Sequence, residues 1–164
     1  MGQAMDTRTA EQRRRIMQAV KSRDTGPEMV VRRLLHSLGY RYRVHRKDLP
    51  GKPDVAFLSR RKAIFVHGCF WHGHGCPKGR LPKSRLDYWE PKLNAHKERD
   101  RRKEEELRSM GWDVLTVWQC ETADLEALAG RLHGFLGGRS VGRAASAGRG
   151  NPVASVSVQS GSRP

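Results

Sequence analysis

Acidic residues are scarce in this chain of 164 residues: 17 Asp and Glu stand against 32 Lys and Arg, for a formal net charge of +15. Mixed-sign surfaces rarely carry a twofold cationic excess, so the imbalance points to a polyanionic partner, nucleic acid foremost. Long apolar runs are missing as well. No stretch approaches the ~18 residues of a membrane span, the N-terminus has no apolar signal core, and no segment separates a basic from an apolar face. These absences argue against a membrane role and lead to the expectation of a cytoplasmic protein. Cysteine is sparse too, at three residues. An odd number without a secretion signal argues against a disulfide framework.

What is present is organised by clear punctuation. Thr9-Ala10-Glu11-Gln12 has the form of a capping box and opens a short helix with Ile16, Met17 and Val20 on one face. Thr25-Gly26-Pro27-Glu28 opens a second helix, whose apolar stripe is Val30, Leu34, Leu35 and Leu38 and which Gly39 ends. Tyr40 to Val44 alternates as a strand. Asp54 to Leu58 and Ala63 to Val66 are apolar runs joined by Ser59-Arg60-Arg61-Lys62, the pattern of a hairpin. A charged helix from about Asn94 to Met110, a buried strand over Val114 to Trp118, and a last helix marked by Leu125, Leu128, Leu132 and Phe135 complete the order ααβββαβα. This is an α/β sandwich with a mixed sheet. Residues 1–136 are expected to form one domain. Residues 137–164 have no acidic residue and too few large apolar side chains for a core, and are expected to be a disordered basic tail.

The stretch FVHGCFWHGHGCP, residues 65–77, crowds histidines, cysteines and large aromatics into one small volume. Cys69 and Cys76 flank His72 and His74, and Cys120 follows the last strand. Three cysteines and one histidine complete a tetrahedral Cys₃His zinc site with no thiol left over. Spacing alone leaves His72 and His74 as alternatives for the fourth ligand. A saturated site has no open position for water, so such a zinc is structural. Chemistry then falls to the remaining histidines and Asp54, which a turn, Leu49-Pro50-Gly51-Lys52-Pro53, delivers to the start of an apolar strand. A carboxylate there must be paired, hydrogen-bonded or metal-bound. On paired hairpin strands Asp54 meets the backbone near Val66, where carboxylate, carbonyl and water suit Mg²⁺.

A Pro-Asp entering a hairpin within this order is how the PD-(D/E)xK nuclease pattern begins, although Phe65-Val66-His67 stands where its acid and lysine belong. LPGKPD, IFVHGCFWHGHGC, the ERDRR of residues 98–102 and GWDVLTVWQC together resemble the very-short-patch mismatch repair endonucleases. These bacterial enzymes nick DNA beside the T of a T:G mismatch left by deamination of 5-methylcytosine. The resemblance runs from about Thr7 to Leu136.

It implies a restriction-endonuclease-like three-layer core with a structural zinc on Cys69, His74, Cys76 and Cys120. It further implies a catalytic Mg²⁺ held by Asp54 and the main-chain carbonyl of Val66. His72 is implied as general base or acid, His67 as a second active-site histidine, and Glu28 as their supporting carboxylate. Glu28 also reads independently as the capping residue of the second helix. Phe70, Trp71 and Trp89 are implied to form a wedge beside the mismatch, with Met17 entering from the opposite groove; unstacking a mismatched step costs less than unstacking a matched one. The expected partner is duplex DNA carrying a T:G mismatch, bound by a monomer, with mismatch-repair accessory proteins as further partners. On residues alone two readings compete with this. One is a zinc-stabilised DNA-binding module in which Asp54 and His72 are structural; the other is a restriction-type endonuclease acting on matched DNA.

Overall fold

The computed structural model describes residues 9–19, 23–83 and 85–138, apart from several side chains of the first helix, Ile16 and Met17 among them. The wedge role for Met17 and nearly all of the expected tail therefore lie outside the described residues. The elements run α1 (Ala10–Ala19), α2 (Gly26–Ser37), β1 (Arg43–Val44), β2 (Val55–Phe57), β3 (Lys62–His67), α3 (Leu86–Ser109), β4 (Asp113–Trp118) and α4 (Leu125–Leu136). This is the order that the sequence patterns predict.

Both N-terminal caps form. Thr9 Oγ1 accepts from Gln12 N at 3.2 Å while Gln12 Oε1 accepts from Thr9 N at 2.9 Å. Thr25 caps α2 through Glu28 N. The sheet order is β1-β2-β3-β4, antiparallel across the first two junctions and parallel between β3 and β4. Central β3 is buried along nearly its whole length, and its alternation assigns its faces. Ile64 and Val66 join Val31, Leu35, Leu128 and Leu132 in a core with α2 and α4. Ala63 and Phe65 join Leu107 of α3 in a second core on the other face. His67 shares the parity of Ala63 and Phe65, so the end of β3 presents it on the α3 side.

Two elements differ from the sequence expectation. The first strand is shorter, because Tyr40 turns into the core, packs edge-on against Phe57 at 6.2 Å and donates to Gly137 O. The long helix begins at Leu86, eight residues ahead of the expected Asn94, and takes in Pro91. Pro91 lies beyond the first turn and leaves the Asp87 carbonyl without its ladder donor, and the longer helix brings Trp89 beside the 65–77 loop. No helix among the described residues is long and apolar enough to cross a membrane.

Candidate active site

The loop after β3 folds back on itself, with His74 N donating to Cys69 O at 2.9 Å. Cys120, in the turn after β4, approaches from the neighbouring strand: its N–H donates to Cys69 Sγ at 3.3 Å, and its Sγ lies 3.5 Å from His74 Nδ1. One ligand atom from each of Cys69, His74, Cys76 and Cys120 falls within 4.8 Å of the others. The three thiols are free, so nothing covalent holds them together. A convergence of three sulfurs and an imidazole is the donor set of a closed tetrahedral site, and zinc fits it. The His74 ring also stacks on Trp118, with centroids 4.3 Å apart. Close backbone packing seals the loop: a Cβ at Gly79 would lie 1.9 Å from His74 O and 2.9 Å from Cys69 O. Gly79→Ala must therefore push the ligand loop apart. It is expected to destabilise the protein by about 3 kcal/mol or more and to weaken metal retention, as read by melting curves and metal analysis.

His72 stands apart from those four ligands. Its ring stacks on His67 with centroids 3.9 Å apart and planes within 5°. Its Nδ1 lies 2.5 Å from Asp100 Oδ2. Burial first, and then the neighbouring His72, push His67 down to about 4, so it is neutral at physiological pH. Burial pushes the Asp100 carboxyl up, but the bond to His72 and the electrostatic pull of the neighbouring histidines together outweigh it and leave Asp100 below the ordinary carboxylate value. Asp100 is thus an anion bracing one imidazole of a stacked pair.

Asp54 precedes β2, and its Oδ2 accepts from Val66 N at 2.7 Å. Burial raises its carboxyl to about 6; the Val66 N–H pulls it down and the Glu28 carboxylate pushes it further up. A desolvated carboxylate whose direct partner is a single amide, with another carboxylate nearby, is suited to a hard cation, and Mg²⁺ fits that donor chemistry. Glu28 is largely engaged elsewhere. Its carboxylate accepts from Asp24 N, Thr25 Oγ1 and Arg32, and it bonds neither histidine. The carboxylate that reaches His72 is Asp100.

Glu28, Asp54, His67, His72 and Asp100 all line one cleft of about 670 Å³, rimmed by Arg23, Lys47, Lys52, Arg99 and Lys103. Trp71 reaches its edge. Phe70, Trp71 and Trp89 form an edge-to-face cluster, with centroids 5.1 Å (Phe70–Trp71), 5.3 Å (Phe70–Trp89) and 6.3 Å (Trp71–Trp89) apart. They are half-exposed and belong to neither hydrophobic core.

Residues 5–78 match the family model described as DNA mismatch endonuclease Vsr. The type II nicking enzyme V.XorIIP of Xanthomonas oryzae is 61% identical over 131 residues, which cover 80% of this chain and 96% of that protein. The chain belongs to the Vsr family. The DNA mismatch endonuclease Vsr of Escherichia coli is 40% identical over 127 residues (74% of this chain, 81% of that protein). The type II nicking enzyme V.NmeAIP of Neisseria meningitidis is 40% identical over 128 residues (78% and 91%).

The match to the family model ends at residue 78, before α3, so Asp100 and Cys120 lie outside it. Asp100 is the site residue that sequence reasoning missed, hidden among the charges of α3. One signal was available. Leu93, Asp100 and Leu107 are spaced by two helical turns, and both leucines are buried, so an acid occupied the inward stripe of the helix.

Proposed function

We propose that this Vsr-family chain is a Mg²⁺-dependent endonuclease that nicks one strand of duplex DNA beside the T of a T:G mismatch, as left by deamination of 5-methylcytosine. The observation that carries the reading is the meeting of Asp54, His67, His72 and Asp100 in one basic-rimmed cleft with an aromatic cluster at its edge. Helices on both faces of the sheet, and an aspartate entering the central hairpin, support a restriction-endonuclease-like core. In this account residues 1–136 carry the activity and residues 137–164 are an appended basic tail.

Each group has a role suited to its surroundings. Asp54 and the Val66 carbonyl would hold Mg²⁺, which would stabilise charge developing on the scissile phosphate. His72, braced by Asp100, takes a proton from the attacking water or delivers one to the leaving oxygen. His67, neutral and stacked against it, keeps that imidazole from rotating away. Glu28 caps α2 and lines the same wall of the cleft as Asp54. Cys69, His74, Cys76 and Cys120 would hold a structural zinc that fixes the loop carrying His72. The basic rim suits phosphates and the aromatic cluster suits an opened base step.

The wedge reading carries its own expected result. Phe70→Ala and Trp71→Ala should melt close to the parent and lose preference for T:G over T:A duplexes by about 10-fold or more, because a wedge supplies part of the few kcal/mol that unstacking costs. A fall in melting temperature of many degrees would place both rings in the fold instead. The function as a whole is tested by strand-resolved cleavage of T:G, T:A and C:G versions of one oligonucleotide duplex. Nicking of the T strand of the T:G duplex alone, dependent on Mg²⁺, is the expected result. Equal cutting of the matched duplexes would favour a restriction-type enzyme, and binding without cutting a DNA-binding module.

A further inference from the structure

The first turns of α2 carry a network that the roles above leave unused. Arg32 is 8% exposed, yet it reaches three polar groups, two of which, Glu28 and His45, line the cleft. Its guanidinium donates to Asp24 Oδ1 at 2.5 Å and to Glu28 Oε2 at 3.0 Å, and lies 3.0 Å from His45 Nε2. Asp24 Oδ1 is itself 3.2 Å from His45 Nε2. The buried Nε of Arg32 finds no partner among the described residues. Asp24 and His45 both hold left-handed backbone, with φ of 52° and 49°. Such conformations in non-glycine residues persist only where the surroundings over-determine them.

Asp24, Glu28 and His45 each bring a ligand atom within 4.8 Å of the other two, a spacing at which two carboxylates and an imidazole need a cation between them or an equivalent positive charge. The guanidinium donates to both carboxylates and lies against the His45 ring nitrogen, so the cation of this site is already supplied by the chain. Arginine is charged at every accessible pH and cannot migrate.

We infer that Arg32 is a positioning residue whose guanidinium stands in for a second cation, tying Glu28 and His45 of the cleft wall to each other and to Asp24. Two consequences follow. Glu28 is neutralised where it stands and so does not compete with Asp54 for a mobile divalent ion. The connection from β1 to β2, which starts at His45 and ends at Asp54, is anchored to the start of α2, which sets where Asp54 enters the cleft. The structural half stands on the network alone, and the functional half rests on the proposed metal role of Asp54.

Mn²⁺ binding to the full chain, followed by electron paramagnetic resonance, tests both halves without requiring DNA cleavage. Arg32→Ala empties the wall and should bind one more Mn²⁺ than the parent; adding Glu28→Gln should abolish the gain. Arg32→Lys keeps a charge at the wall and should bind the parental number. A folded Arg32→Ala protein with the parental number of Mn²⁺ ions overturns the inference. Should Arg32→Ala fail to fold, Asp24→Asn is the second arm, since Asp24 is largely exposed and asparagine tolerates the left-handed backbone. It should retain the fold and weaken Mn²⁺ at Asp54 by about 10-fold, as expected for loss of outer support to a metal site. An unchanged Mn²⁺ affinity overturns the inference. A parent that binds Mn²⁺ but nicks no duplex would sink the endonuclease reading while leaving this result to stand.

Discussion

Asp54→Asn is expected to abolish nicking and, at the same time, to make the metal-free protein more stable. The loss should be at least 10²–10⁴-fold, the scale for removing a positioned catalytic group, and it removes a metal ligand as well. The gain follows from where the carboxylate sits. Burial raises it to about 6 in the folded chain, against an ordinary value near 3.8 in the unfolded one, so ionisation favours unfolding. That cost is absent below the unfolded value, where both states are protonated. It grows as pH rises toward 6 and is complete above it, on the order of 1–3 kcal/mol. The amide keeps an oxygen for the Val66 N–H. The melting temperature of Asp54→Asn should therefore exceed the parent's at pH 7.5 without divalent ions, and the advantage should vanish near pH 4. A variant less stable than the parent at pH 7.5 would mean that Asp54 holds the hairpin together and was not placed for a metal.

Cys120→Ala should lose the fold rather than only the activity. Cys120 is the one residue of the four that comes from the turn after β4, and the other three lie within the loop after β3. Its removal severs the link between loop and sheet edge. A structural zinc contributes apparent binding free energy of about 10–16 kcal/mol, much of which becomes folding free energy, whereas whole domains are stable by about 5–15 kcal/mol. Purified parent should contain one zinc per chain. The variant should contain none and should lose cooperative melting. Parent protein that is folded and active without zinc would remove this ion from the account.

The parts of the molecule that local chemistry specifies were legible from the sequence. Thr9 and Thr25 announce helix starts because their hydroxyls satisfy amides that no helix can satisfy itself. The hairpin carrying Asp54 and Val66 shows in two apolar runs with a basic turn between them. Cys69, Cys76 and Cys120 stand out because free thiols otherwise lack a reason to gather. The misses share a cause, namely that long-range packing decided them. The helix start at Leu86 was hidden behind Pro91, which reads in sequence as a helix breaker but stands inside α3. Asp100 looked like one more charge in a run of them, and only the docking of α3 on the sheet turns it toward His72. Nothing in the apolar stripe of α2 sets Arg32 apart, and it is buried where the chain returns at His45. Between His72 and His74, two positions apart, spacing could not choose; in the folded chain one lies with His67 and Asp100 and the other with the three cysteines.

That division of labour is the centre of the account, and zinc content measured alongside nicking rate in His72→Ala and His74→Ala tests it most directly. His72→Ala is expected to carry one zinc, melt with the parent and bind a T:G duplex, while nicking it 10²–10⁴-fold more slowly. His74→Ala is expected to lose or weaken its zinc and melt at lower temperature. A His72→Ala protein without zinc, beside a His74→Ala protein that keeps both metal and activity, would contradict the assignment and exchange the two roles.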